Sequence, residues 1–476
     1  MQISIKNTVK LAILFLMLLV NYGATGQKSS VNQAIYSGIP WYDDQGNIIS
    51  AHGGGIIQYN GKFYFFGEKH AENSNAFAGF TCYSSTDLYN WKFESIALPV
   101  QDSGKLGPNR VGERPKVMKC PQTGEYVMLM HTDDLNYKDQ CTGYATSKTI
   151  TGPYIFKGPI LFNGKPIKKW DMGAFQDTDG TGYLLVHGGG MYKLSDDYHS
   201  IVENTVDNKW PGSEAPAVFK KDGVYFWLAS YLTSWERNDN YYYTATSLKG
   251  PWTAQGNFAP AGSLTWNSQT TFVLPIKGSK ETTFMFMGDR WSYPLQTSSA
   301  TYVWQPISVN KTSISIPTYK IGWQINTVTG VVSNAILGKK IINNLDKKAI
   351  IYQGDWKQTL QSDSFPESWT NKKDASCAVT FSGSQIGFYS VASPQDGYAN
   401  VKLTDAAGKT VASAIIDMYC KYRISSLVFL SPVLPKANYI LTITALGQHS
   451  KWSDKKKNDY GSTDDRISLQ KLIVNP

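Results

Sequence analysis

Gly61-Lys-Phe-Tyr-Phe-Phe66 is a turn glycine followed by an apolar, aromatic run too continuous to keep one face in water. That is the pattern of a strand packed on both sides. Working outward, the same figure returns four times, as Gly124-Glu-Tyr-Val-Met-Leu-Met130, Gly180-Thr-Gly-Tyr-Leu-Leu-Val186, Gly223-Val-Tyr-Phe-Trp-Leu-Ala229 and Thr282-Thr-Phe-Met-Phe-Met287. Successive starts lie 43 to 63 residues apart, room for about four strands per unit. A second echo follows three of the runs, in Cys82-Tyr-Ser-Ser-Thr-Asp-Leu-Tyr-Asn-Trp91, Tyr144-Ala-Thr-Ser-Lys-Thr-Ile-Thr-Gly-Pro-Tyr154 and Tyr243-Thr-Ala-Thr-Ser-Leu-Lys-Gly-Pro-Trp252. Each is a strand, a Ser/Thr turn and a closing aromatic. Four-stranded sheets that repeat and close on themselves form a β-propeller, which leaves only short, protected edges and can gather residues on its axis. Five runs predict an all-β fold with five blades over residues 27–335. The competing reading is an array of β-sandwiches whose strands are alike by coincidence.

Composition agrees with that class. Aromatic residues make up 13% of the 476, from 29 Tyr, 20 Phe and 14 Trp, while charged residues are only 17%. Such content suits pleated sheets and supplies flat faces on which sugar rings stack. With 41 Gly and 21 Pro the chain is neither collagen-like nor of low complexity, and its apolar content excludes disorder. The formal charge of +9 is spread without a dense basic run, which excludes a nucleic-acid partner.

At the N-terminus, Lys6 and Lys10 precede the apolar run Leu11 to Val20, and small residues follow to Gly26. Ten apolar residues are too few for a span, which needs about 20. Residues 1–26 therefore read as a secretory signal, with no membrane insertion and no cysteine nearby for a lipid anchor. A periplasmic or secreted, monomeric protein is the expectation. Five cysteines remain, Cys82, Cys120, Cys141, Cys377 and Cys420. An odd number cannot all pair in one chain, no CxxC or Cys/His cluster suggests zinc, and oxidising export would allow a Cys120–Cys141 bridge.

Three segments place carboxylates or amides beside glycines and aromatics: Gly112-Glu-Arg-Pro115, Trp170-Asp-Met-Gly-Ala-Phe-Gln-Asp-Thr-Asp-Gly180 and Gly212-Ser-Glu-Ala-Pro216. Glu113, Asp171 and Glu214 each lie about ten residues before an apolar run, so in a propeller all three would reach one axial pocket. Glycoside hydrolysis needs a carboxylic acid to protonate the leaving oxygen and a second group to activate water or attack carbon, in surroundings that split their pKa values. Asp177 and Asp179 read instead as builders of the turn at Gly180. An ion pair of Glu113 with Arg114 is the plain alternative for that residue.

Asp171-Met-Gly-Ala-Phe-Gln-Asp-Thr-Asp-Gly-Thr-Gly-Tyr-Leu-Leu185, followed by Ser213-Glu-Ala-Pro216, resembles glycoside hydrolase family 43, a family of five-bladed propellers. The resemblance covers residues 35 to 330. It implies that Glu214 is the general acid and that Asp171 raises and orients it. The family usually carries its general-base Asp in the first blade, yet Ala51-His-Gly-Gly-Gly-Ile56 has no carboxylate. In this the chain looks like the exo-β-1,3-galactanase branch, where a Gln is thought to handle the water with an additional Glu nearby. Gln269 in Trp266-Asn-Ser-Gln-Thr-Thr271 and Glu113 are the matching residues. An amide is a poor base unless its hydrogen bonds force the imidic tautomer, so Glu113 acting directly as base stays open. The same comparison places Tyr137 and Thr233 on galactose hydroxyls. His52 is a candidate pocket residue or a structural histidine, and Trp235, Trp266 and Trp291 are candidate stacking walls. Glu68 binds sugar or pairs at a blade edge.

The tail, residues 345–476, carries short alternating strands and Gly-rich turns with no helical period. It reads as a jelly-roll β-sandwich, and resembles the galactose-binding-like modules appended to such hydrolases. No cofactor or metal is expected, and no clear motif marks a structural calcium there. The sequence thus predicts an exported, inverting exo-hydrolase acting on β-1,3-galactan, an oligo- or polysaccharide partner. An α-L-arabinofuranosidase or β-xylosidase, and a non-catalytic glycan-binding protein, are the alternatives.

Overall fold

The structure, a computed structural model, describes residues 32–359, 362–454 and 456–476. The signal assigned to residues 1–26 lies outside them.

Asn60-Gly61 and Asp222-Gly223 both adopt positive φ, at 48° and 74° and at 49° and 80°, and each is a two-residue link between antiparallel strands. This is the tight hairpin that Asn-Gly and Asp-Gly favour. The apolar runs that follow are therefore the second strands of their sheets, and the edge position falls to the strand before each. Five consecutive antiparallel sheets result. The first contains His52–Tyr59, Lys62–Glu68, Phe80–Ser85 and Lys92–Leu98. The second opens with Arg110–Lys119 and Tyr126–Asp134, the third with Met172–Gln176 and Gly182–Val186, the fourth with Ser213–Lys221 and Val224–Tyr231, and the fifth with Gln269–Lys277 and Thr282–Arg290. Two short strands, Leu161–Phe162 and Lys165–Pro166, extend the third sheet at its outer edge.

The continuous apolar runs have a direct explanation in the period-two alternation of a strand. Phe63 and Phe65 pack toward Met285 and Met287 of the fifth sheet, while Phe66 packs toward Met128 and Met130 of the second. Val127 and Leu129 meet Leu184 and Val186 of the third, Leu185 meets Trp227 and Ala229 of the fourth, and Phe226 and Leu228 meet Phe284 and Phe286 of the fifth. The shared cores thus run in a cycle through all five sheets, first to fifth and back. Near the return, Ile35–Tyr36 pairs antiparallel with Gly322–Ile325, and Ser37 Oγ donates to the Trp304 carbonyl at 2.7 Å.

A second β unit follows. Its four-stranded sheet orders Lys340–Asn343, Lys471–Asn475, Gln385–Ala392 and Ile424–Leu430. Its five-stranded sheet contains Ile350–Gln353, Ser376–Gly383, Ala437–Ala445, Tyr398–Asp405 and Thr410–Asp417. Phe388, Leu472 and Val474 of one meet Val379, Val401 and Leu441 of the other in one core. The unit begins before residue 345, because Lys340–Asn343 is already a strand paired with the last strand of the chain. All five cysteines are free and buried, so Cys120 and Cys141 form no bridge.

Candidate active site

The first strands of the sheets share an irregularity. Pairing register shifts between His52 and Gly55, between Glu113 and Lys116, between Glu214 and Ala217, and between Thr270 and Phe272. In three of these bulges the next residue is left-handed: Gly53 at φ 59°, Arg114 at 52° and Ala215 at 54°. Asp171, just ahead of the third sheet's first strand, is itself at 43°. A bulge bends its strand and re-aims a side chain, so His52, Glu113 and Glu214 occupy equivalent positions in three sheets. Gly53 is also required by space, since a Cβ there would lie 2.1 Å from Glu68 Oε1. Ahead of Gln269, the four residues Leu264 to Asn267 all have φ between 51° and 58°. Leu264 N–H donates to Asp239 (2.8 Å), Asn240 N–H to Thr265 Oγ1 (2.7 Å) and Arg290 Nε to the Asn267 carbonyl (3.0 Å). Non-glycine backbone persists in this region only where its surroundings over-determine it, often at functional sites.

These devices bring Glu113, Asp171, Glu214 and Gln269 to one cavity of about 580 Å³, with Tyr137, Trp235 and Trp291 in its wall. Gln269 Nε2 donates to Glu214 Oε1 at 2.9 Å and to Ser230 Oγ at 3.2 Å. Gln269 Oε1 accepts from Arg114 Nη2 at 2.8 Å and from Trp291 Nε1 at 2.9 Å. Asp171 Oδ2 accepts the Ala215 N–H at 2.7 Å, and its other oxygen is ion-paired with Arg114 Nε. Glu113 accepts from Tyr137 Oη at 2.7 Å and faces His131 Nδ1 at 2.8 Å. His131 Nε2 in turn faces Asp133 at 3.3 Å.

The two glutamates are driven apart electrostatically. Burial, and then the Asp171 charge, push Glu214 well above the usual carboxylate range, against the pull of Arg114. Burial opposes ionisation of Glu113 too, but the hydrogen bond and charge of His131, with Tyr137 and Arg114, bring it below that range. His131 shows the reciprocal effect. Its burial favours the neutral ring, yet Asp133 and Glu113 raise it to about 9, so it is an imidazolium at neutral pH.

The sequence reading missed the hub. Arg114 is buried and links Glu68, whose Oε1 accepts its backbone N–H at 2.8 Å, to Asp171 and Gln269. Glu68 lines the cavity and is pushed well above the carboxylate range by burial and then by Glu113. Across the rungs, Glu113 faces His131, Glu214 faces Ser230, and Gln269 faces Asp289. The polar ends of the second strands therefore complete the site, and the only signal for them is a His, Ser or Asp terminating an apolar run. Three candidates are not among the residues that line the cavity. His52 is fully buried, stacks on Tyr302 with centroids 4.4 Å apart, and faces Asp289 at 3.3 Å. Trp266 packs at the fourth and fifth sheets and donates to the Ile316 carbonyl at 3.0 Å. The Thr233 hydroxyl is engaged by the Glu236 carbonyl and the Asn238 amide, both at 2.7 Å, while its backbone N–H serves Glu214. Among the described residues no cluster of three or more His, Cys, Asp or Glu side chains is arranged to hold a metal.

A carboxyl pushed toward its neutral form in the same cavity as one held toward its anion, walled by tryptophan, is the equipment of a glycoside hydrolase. Residues 54–261 match the family model for glycosyl hydrolases family 43. No curated protein sequence matches. Among solved structures, an exo-β-1,3-galactanase of Phanerochaete chrysosporium, in complex with β-1,3-galactotriose, is 29% identical over 93% of this chain and 100% of its own, with a TM-score of 0.70. A Bifidobacterium bifidum protein assigned as an exo-β-1,3-galactanase is 39% identical over 59% of this chain and 95% of its own, at 0.55. The Clostridium thermocellum exo-β-1,3-galactanase is 27% identical over 72% and 86%, at 0.58. The chain belongs to glycoside hydrolase family 43 and is a glycoside hydrolase.

Proposed function

We propose that this enzyme is an exported, exo-acting, inverting hydrolase that releases galactose from β-1,3-galactan, built on a five-bladed β-propeller. The cyclic order of the five shared cores supports the propeller reading. One arrangement carries the chemistry: Glu214 is pushed toward its protonated form by burial and Asp171, in the same cavity where His131 and Tyr137 hold Glu113 toward its anion. Glu214 donates that proton to the leaving oxygen and Asp171 sustains its affinity for it. Water is handled between Glu113 and Gln269. The Gln269 oxygen accepts from an arginine and an indole N–H, neither of which can accept a proton in return. The amide form fits this network, which favours Glu113 for taking the water's proton and Gln269 for positioning.

The galactan specificity is supported by the similar galactanases and by the first sheet, where the bulge position belongs to a buried histidine rather than a carboxylate. An arabinofuranosidase or xylosidase of this family would need that carboxylate. Among the described residues no helix is long and apolar enough to cross a membrane, in keeping with export. Proton NMR of the first sugar released from β-1,3-galactan tests the reading: α-galactose is expected. A β anomer overturns inversion, and no galactose release overturns the substrate.

A further inference from the structure

The catalytic cavity is not made by the five sheets alone. Trp452, Asp454, Lys456, Asn458 and Tyr460 of the second β unit also line it. They sit on and around a hairpin whose strands, Lys451–Ser453 and Asp459–Gly461, pair antiparallel. The hairpin is docked, not adjacent by accident: Lys451 N–H donates to the Tyr293 carbonyl at 3.0 Å. Trp235 stacks on Tyr293 with centroids 5.0 Å apart and meets Trp452 edge-on at 6.4 Å, and Trp452 stacks on Tyr460 at 6.1 Å. Asp454 fixes the tip by accepting from the Asn458 backbone and side chain, at 2.9 and 2.8 Å, and from Tyr460 Oη at 3.2 Å.

Trp452 is 4% exposed, yet its Nε1 has no acceptor among the described residues. That N–H is closed off as well as unpartnered, so Trp452 enters the cavity wall through its ring and not through its nitrogen. At the tip of the hairpin Lys456 and Asn458 are exposed while Asp454 and Tyr460 are half-buried. The tip residues that line the cavity therefore stand at its rim. In an exo-acting enzyme the terminal sugar fills the inner end and only the leaving portion extends through the mouth.

We propose that this hairpin forms the leaving-side sugar subsite, with the Trp452 ring in its wall and Lys456 at its exposed tip donating to a hydroxyl of the sugar that departs. The proposal rests on the galactan reading above. The C-terminal unit is then part of the catalytic site of its own chain, whether or not it also binds glycan elsewhere.

The test compares two substrates of the full chain. One is β-1,3-galactotriose; the other is β-galactosyl fluoride, whose single-atom leaving group occupies no sugar subsite. Lys456→Ala on the exposed tip is expected to lower the ratio of kcat/KM on galactotriose to kcat/KM on the fluoride about threefold, the worth of a rim contact, mainly through KM. Lys456→Met, which keeps the aliphatic stem and removes the donor, is expected to give the same fall. A ratio unchanged in the folded variant overturns the hairpin subsite alone. Wild-type enzyme that turns over the fluoride but not galactotriose overturns the galactan reading, and the subsite with it.

Discussion

The surroundings that suit Glu214 to the proposed acid role also destabilise it. Its folded-state pKa lies above the ordinary 4.5, because burial and Asp171 both disfavour its anion. The sign follows from proton linkage: the folded state binds the proton more tightly, so relative stability is fully present below 4.5 and is lost as pH rises through the folded value. Glu214→Gln removes the titration and keeps an acceptor for Gln269 Nε2. It is expected to unfold at a higher temperature than wild type at pH 7, and at nearly the same temperature near pH 4. Turnover of galactan should fall by about 10² to 10⁴, the usual worth of a general acid. Thermal scans at the two pH values and initial rates check both halves. Near-normal rates would remove Glu214 from the acid's role, and a lower melting temperature at pH 7 would contradict the origin assigned to its pKa.

At the scale of elements, each side chain is delivered by a bulge at a strand start, and here sequence and structure part company instructively. The apolar runs and their Asn-Gly and Asp-Gly turns are local patterns, so the sheets were legible, as were Glu113, Asp171, Glu214 and Gln269, which the structure gathers at one cavity. Bulges are set by φ and cross-strand register, which leave little trace in residue type. Hence the apolar runs, read as strands packed on both sides, are so packed, while their place as second strands and the bulges before them are not legible in residue type, and His52, at the bulge position of the first sheet, turns out buried against Asp289. Arg114 reads as one half of a local pair, whereas its partners Asp171 and Gln269 come from other sheets. The bulge itself can be probed at Ala215, whose N–H holds Asp171 while its backbone is left-handed. Ala215→Gly suits that backbone and should leave activity within about twofold, since glycine adopts positive φ freely. Ala215→Val places a β-branched residue where it is a genuine outlier and is expected to cost about 2 kcal/mol in urea unfolding, with a larger loss of kcat as Glu214 and Asp171 shift. Equal behaviour of the two variants would mean the bulge conformation is not what positions the acid.

For the whole molecule, the two β units are held together at the segments that carry the cavity's aromatic wall. Tyr419 Oη donates to buried Glu236, next to Trp235, at 2.7 Å. Tyr398 Oη donates to the Ser292 carbonyl at 3.0 Å, and Ser292 Oγ to Asp417 at 2.8 Å, beside Trp291 and Tyr293. None of these contacts joins residues fewer than 100 apart in the chain, which is why no local pattern announced them. Each is worth about 1 kcal/mol while made, but a buried carboxylate left without its donor loses more than that. The second unit therefore acts as a brace for Trp235 and Trp291 as well as a neighbour, and unfolding of the two units should be coupled. Calorimetry of wild type is expected to give one transition. Tyr419→Phe combined with Asp417→Ala should split it, the earlier component falling by several degrees, since about 1 kcal/mol moves the midpoint of a domain this size by roughly 2–4 °C. The same double variant should raise KM for galactotriose with a smaller fall in kcat, the latter through Trp291 and its hydrogen bond to Gln269, because Glu214, Asp171 and Glu113 are fixed by the strand starts and not by the brace. A single, unshifted transition, or a loss confined to kcat, would mean that the aromatic wall is held by the five sheets without the second unit.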